Sequence, residues 1–121
     1  MRIAINGFGR IGRNVFRIVE NTPGVEVVAI NDLTDAATLA HLLKYDSVHG
    51  IFDGRVTSSK GAITVNGKKI AITAERDPAQ LSHAANKVDF VVEATGVFRS
   101  REACTKHLDA GAKKVVLTVP P

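Results

Sequence analysis

A short apolar run, Ile3-Ala4-Ile5, leads without a break into Gly7-Phe8-Gly9-Arg10-Ile11-Gly12, and no other stretch constrains the fold as tightly. Each glycine has its own steric reason. Gly7 permits a tight strand-to-helix turn, Gly9 lets backbone come close to a pyrophosphate, and Gly12 lets a helix pack closely on a strand. The helix that follows aims unsatisfied N–H groups and the positive end of its dipole at such a phosphate. Alone the pattern is weak, because glycine-rich turns are common. Here it sits between a strand and a helical pattern, and Asp32 follows Gly12 by twenty positions at the end of the next apolar run, Val25 to Ile30. That is the context of a dinucleotide-binding strand-helix-strand unit.

The rest of the pattern predicts a sheet around this unit. A strand over 2–6 is followed by a helix over 10–21, with Ile11, Val15, Ile18 and Val19 on one stripe, stopped by Pro23-Gly24. After a strand over 25–30 comes a helix over 35–44, apolar at Ala36, Leu39, Ala40 and Leu43, with Thr34 or Asp35 as its N-cap. Ala62–Val65 and Lys68–Thr73 flank Asn66-Gly67, which readily supplies the positive φ angles of a type I′ hairpin turn. Asp77-Pro78 opens a short helix, a strand over 88–93 runs into Ala94-Thr95-Gly96, Ser100 caps a helix ending at Gly111, and 114–118 is a last core strand. This order predicts an α/β fold of the doubly wound Rossmann type: a mostly parallel sheet, order 3-2-1-4-5, with an inserted β-hairpin and helices on both faces. A ligand then lies at the carboxyl ends of the strands, where the order reverses. The turn Gly7–Gly12 and the loop Thr95-Gly96 both follow strands at that point, so they are expected to line one crevice.

Composition narrows the class. The 121 residues are at most one domain, taken as 1–121, and long enough to bury a core. With 45% hydrophobic and 23% charged residues the chain reads as globular. No apolar run approaches the length of a membrane span, and no basic-then-apolar leader precedes the first strand. A single cysteine excludes a disulfide framework and suits a reducing cytoplasm. The net charge of +4 does not indicate nucleic acid: Lys and Arg are dispersed in runs no longer than Lys68-Lys69 and Lys113-Lys114, and with one Tyr and no Trp stacking platforms are scarce.

Single residues sharpen the cofactor. Asp32 is placed to accept hydrogen bonds from adenosine ribose hydroxyls, its charge would repel a 2′-phosphate, and no Arg follows in Leu33-Thr34-Asp35 to bind one; NAD is therefore expected over NADP. Cys104 and His107 lie at helical i, i+3 spacing, which suits either a nucleophile with its base or simple packing; the neighbours Ala103 and Leu108 favour packing. Two such ligands without a second pair are too few for a structural zinc site. His41, His49 and His83 form no catalytic pattern, and Asp89 and Glu93 have no partner carboxylate for glycosidase-type chemistry. The Walker phosphate-binding pattern is absent.

Six segments spread over the chain, Ile5–Val15, Asn31–Asp35, Leu39–Gly50, Glu75–Pro78, Glu93–Gly96 and His107–Val115, closely resemble the N-terminal part of the glyceraldehyde-3-phosphate dehydrogenase family. The resemblance implies that Arg10 and Ile11 offer backbone N–H groups to the NAD pyrophosphate and that Asp32 holds the adenosine ribose. It places Arg76 and Phe98 by the adenine, and Thr95, Gly96 and Thr118 on the route to the nicotinamide ribose. The reaction it implies is oxidation of glyceraldehyde 3-phosphate to 1,3-bisphosphoglycerate with NAD and inorganic phosphate, in a cytoplasmic glycolytic homotetramer. In that reaction a histidine-activated thiolate attacks the aldehyde, hydride passes to NAD, and phosphate releases the acyl thioester. His83 stands where the family commonly has Trp, and Asn86-Lys87 replaces the usual Leu-Gly. The nucleophile motif Ser-Cys-Thr-Thr-Asn does not occur, so that role does not pass to Cys104. The expectation is a fragment: a partial NAD-binding domain, truncated before a sixth strand and without turnover by itself. A fragment of erythrose-4-phosphate dehydrogenase and a stand-alone non-catalytic dinucleotide-binding module are the competing readings.

Overall fold

Arg2–Asn6 forms strand β1, buried from Ile3 onward, as a strand covered on both faces of a parallel sheet must be. The computed structural model describes residues 1–45, 56–59, 61–74, 87–94, 105, 107, 108 and 110–117. After β1 come α1 (Arg10–Glu20), β2 (Glu26–Asn31), α2 (Ala36–Lys44), β3 (Val56–Ser59), β4 (Ala62–Val65), β5 (Lys68–Thr73), β6 (Phe90–Glu93) and β7 (Lys114–Leu117). They form one sheet of order β3-β4-β5-β2-β1-β6-β7.

From β5 to β7 every neighbouring pair is parallel. With β5 counted as the third parallel strand, this is the 3-2-1-4-5 order expected of a doubly wound sheet. The hairpin is built into the sheet: β5 belongs to the parallel core, while β4 and β3 continue it antiparallel. Its turn has Asn66 at φ 50° and Gly67 at φ 85°, as a two-residue type I′ turn requires. Strand β3 was not expected. Val56-Thr-Ser-Ser59 carries no apolar alternation and is exposed after Val56; its register with β4, from Val56↔Val65 to Ser59↔Ala62, makes it a strand. The helix expected at Asp77-Pro78 lies outside the described residues. So does most of the one from Ser100, of which Thr105, His107 and Leu108 are helical.

Alternation along β1 divides the core. Ile3 and Ile5 face a cluster with Phe8, Phe16, Val19, Leu39 and Leu43, which seats α1 and α2. Ala4 faces a second, smaller cluster with Ala29, Val88, Val91 and Ala112. Asp35, rather than Thr34, caps α2: its Oδ1 accepts the Thr38 N–H at 2.8 Å. No helix among the described residues is long and apolar enough to cross a membrane.

Lys87 has φ 53°, at the position where the resembling family usually has glycine. A left-handed conformation costs a side-chain-bearing residue roughly 1–2 kcal/mol, and the greater freedom of glycine in the unfolded chain offsets part of that. Lys87→Gly is expected to stabilise the fold by about 0.5–1 kcal/mol, read as a higher urea midpoint; an unchanged or lower midpoint contradicts it.

At the amino edge of the sheet, Asp89 Oδ2 accepts the Arg2 N–H at 3.0 Å and Oδ1 meets Lys113 Nζ at 3.1 Å. The Arg2 N–H first, then Lys113, hold this carboxyl below its ordinary value of 3.8. A depressed carboxyl stabilises the fold above the unfolded value and loses that contribution as pH falls through the folded one. Thermal midpoints measured from about pH 5 to pH 2 should therefore fall less steeply for Asp89→Asn than for the unsubstituted protein. Parallel curves contradict the assignment.

Candidate functional site

The glycine turn is fixed from several sides. Gly7 leaves β1 at φ 94°, in the region that favours glycine, and its N–H donates to the Asn31 carbonyl at 2.8 Å. Phe8 turns inward, 1% exposed, and meets Phe16 edge to face at a centroid distance of 5.9 Å. Arg13 Nη1 donates to the Phe8 carbonyl at 3.0 Å. Gly12 is where α1 crosses closest: a Cβ there would lie 2.2 Å from the Gly7 carbonyl oxygen and 3.2 Å from Ile5 Cγ2. Gly9 differs. It caps α1 without a side-chain hydrogen bond, and a Cβ on it would meet no atom within 4 Å.

Asp32 closes the other wall. Its Oδ2 accepts the Phe8 N–H at 2.8 Å and its Oδ1 accepts the Thr34 N–H at 3.0 Å, while its own N–H donates to the Thr73 carbonyl at 2.9 Å. The carboxylate thus ties the end of β2 to the middle of the glycine turn. A carboxylate offers about four lone-pair positions, so these contacts leave room for hydroxyl donors. The same glycine turn leads into α1, which begins at the exposed Arg10; its first-turn N–H groups have no partner within the helix and carry the positive end of the helix dipole. The first turn carries no acidic residue. The arrangement sets a site for negative charge against a carboxylate that accepts hydroxyls, and Ile11 and Leu33 add exposed apolar surface on the same segments.

Gly7, Gly9, Arg10, Ile11, Gly12 and Asp32 therefore come together at the carboxyl edge where the strand order reverses. Arg76, Thr95, Gly96, Phe98 and Thr118 lie outside the described residues, as does Cys104. Strand β6, which the sequence continues into Thr95, lies directly beside β1, with the Ala94 N–H donating to the Asn6 carbonyl at 2.8 Å.

Residues 1–101 match the family model described as "Glyceraldehyde 3-phosphate dehydrogenase, NAD binding domain". The chain belongs to this family. Similar proteins include the glyceraldehyde-3-phosphate dehydrogenases of Geobacillus stearothermophilus, 58% identical over 99% of this chain and 36% of that protein, and of Priestia megaterium, 61% identical with the same coverage. The cytosolic glyceraldehyde-3-phosphate dehydrogenase of Leishmania mexicana is 54% identical over 100% of this chain and 37% of its own length. The chain thus spans about a third of the length of these relatives, and its residues 1–101 lie within an NAD-binding domain. Its residues fit NAD: the open space over Gly9 leaves room for a phosphate at the helix N-terminus, and Asp32 keeps acceptor positions for ribose hydroxyls.

One group of polar residues at this edge escaped the sequence reading. Asn6, Asn31, Glu93 and His107 are all buried, at 2%, 8%, 0% and 0% exposure, and Thr73 joins them through its hydroxyl. Glu93, unassigned from the sequence, meets His107 Nε2 at 2.7 Å through its Oε1. The available signal was that apolar strands β1, β2, β5 and β6 each end on a polar residue.

Proposed function

We propose that the glycine turn binds the pyrophosphate of NAD through the Arg10 and Ile11 N–H groups, and that Asp32 accepts the adenosine ribose hydroxyls. Arg76 and Phe98 are assigned to the adenine, and Thr95, Gly96 and Thr118 to the nicotinamide side. The observation that carries this is the Asp32 carboxylate held 2.8 Å from the Phe8 N–H, beside a helix N-terminus whose cap glycine faces open space. In the whole protein the proposed reaction is oxidation of glyceraldehyde 3-phosphate to 1,3-bisphosphoglycerate with inorganic phosphate, in a cytoplasmic homotetramer. Bound NAD supplies the hydride acceptor. The residues of this chain bind and orient that acceptor, and the carboxylate of Asp32 excludes a 2′-phosphate by charge. Calorimetric titration with NAD and NADP under identical salt tests the reading: NAD should bind and NADP should bind more weakly. Equal affinities would refute the role of Asp32, and no binding of either would refute the site. Turnover of the full-length protein on glyceraldehyde 3-phosphate against erythrose 4-phosphate identifies the substrate.

A further inference from the structure

The last residues of four neighbouring parallel strands, Thr73, Asn31, Asn6 and Glu93, occupy one register row across the sheet. Their side chains form a directional chain. Thr73 Oγ1 donates to Asn31 Oδ1 at 2.6 Å, Asn31 Nδ2 to Asn6 Oδ1 at 2.7 Å, and Asn6 Nδ2 to Glu93 Oε1 at 2.6 Å. The same Glu93 Oε1 lies 2.7 Å from His107 Nε2. Asn6 Nδ2 and His107 Nε2 thus converge on one carboxylate oxygen, and the two nitrogens lie 3.4 Å apart. Glu93 collects the chain, and His107 holds Glu93 from the helical segment between β6 and β7.

The row before this one is apolar, with Ala71, Ala29, Ala4 and Val91 aligned two residues earlier on the same strands. Apolar residues would have continued that floor without burying groups that cost free energy whenever a partner is lost. The polar row lies one residue before Gly7, Asp32 and Ala94, and the backbone hydrogen bonds from Gly7 to Asn31, from Asp32 to Thr73 and from Ala94 to Asn6 run through it. It is the last layer of the sheet beneath the crevice.

The geometry points to His107 as a positioning residue for cofactor binding: through Glu93 and Asn6 it fixes the strand ends from which the glycine turn and Asp32 depart. This rests on the NAD reading above, and its effect on affinity is indirect. The test uses the full-length protein, NAD titration and thermal midpoints, with His107→Ala, His107→Gln, Thr73→Val and a control truncation, Val65→Ala. Val65 is buried in β4 and belongs to the other core cluster. Gln can place its amide nitrogen as many bonds from the backbone as His Nε2. His107→Ala should weaken NAD by about tenfold, which is roughly 1.4 kcal/mol. His107→Gln should restore affinity to within about threefold, and Val65→Ala should leave it within about twofold even where its midpoint falls as far. Thr73→Val, which removes one hydroxyl at the far end of the row and with it a donor to Asn31 Oδ1, should weaken NAD by about threefold with a midpoint that falls no further than that of Val65→Ala, and it carries the test if His107→Ala does not fold.

If the unsubstituted protein binds NAD but His107→Ala tracks Val65→Ala, or His107→Gln fails to recover, or Thr73→Val binds like the unsubstituted protein, the positioning role is overturned while the NAD reading stands. If the unsubstituted protein does not bind NAD, both fall.

Discussion

Gly12→Ala is expected to lose both fold stability and NAD binding, whereas Gly9→Ala keeps the fold and loses binding. A Cβ on Gly12 falls 2.2 Å from the Gly7 carbonyl oxygen, and neither side can yield cheaply. Gly7 is held by its φ of 94° and by its N–H donated to Asn31, and α1 is anchored by Phe16 and Val19 in the core. Overpacking commonly costs about 1–3 kcal/mol, and a clash against backbone belongs at the upper end. For a domain of this size, about 3 kcal/mol lowers the thermal midpoint by roughly 10 °C. Moving α1 away from β1 also moves the N–H groups that would meet a pyrophosphate. On Gly9 the added methyl enters open space, so the fold loses only the advantage of glycine at an N-cap, about 0.5–1 kcal/mol. The methyl then occupies the volume a phosphate needs. Denaturation midpoints and NAD titrations of the two variants make the comparison. A Gly9→Ala protein that binds NAD normally would remove the phosphate from that space.

Asp32→Ala is expected to weaken NAD by about 10–100-fold, the value of a lost hydrogen bond to a charged acceptor, and to leave NADP unchanged or tighter. Loss of the carboxylate removes the repulsion toward a 2′-phosphate as well as the ribose acceptor, so the gap between the two cofactors closes from both sides. The structure adds a consequence for the fold. The same carboxylate accepts the N–H groups of Phe8 and Thr34, and Phe8 is buried, so its donor is left without that partner. The expected cost is about 1–3 kcal/mol of stability. Asp32→Asn, which keeps an acceptor oxygen for Phe8, should recover most of that stability while still narrowing the NAD over NADP preference. Parallel changes in the two affinities would show that Asp32 does not read the ribose.

Much of the fold was legible because its signals are local. Apolar runs ending on breakers marked β1, β2 and β7, helical spacing marked α1 and α2, and Asn66-Gly67 marked the hairpin. Strand β3 was not legible, because an exposed edge strand has no buried face to impose alternation; its partner β4 defines it. Half of the proposed cofactor site could be read in the same local way, since Gly7–Gly12 and Asp32 lie in one strand-helix-strand unit with fixed spacing.

Local pattern was enough to show that a glycine turn precedes a helix, that an acidic residue ends the next strand, and that the chain resembles a family with an NAD-binding domain. That Asp32 also holds the Phe8 N–H, and that Asn6, Asn31, Thr73, Glu93 and His107 form one hydrogen-bonded row, emerges in the folded chain alone. The reason is physical. Propensity and periodicity act over a few residues, whereas these partners lie between 14 and 87 residues apart along the chain and meet only when parallel register aligns the strand ends.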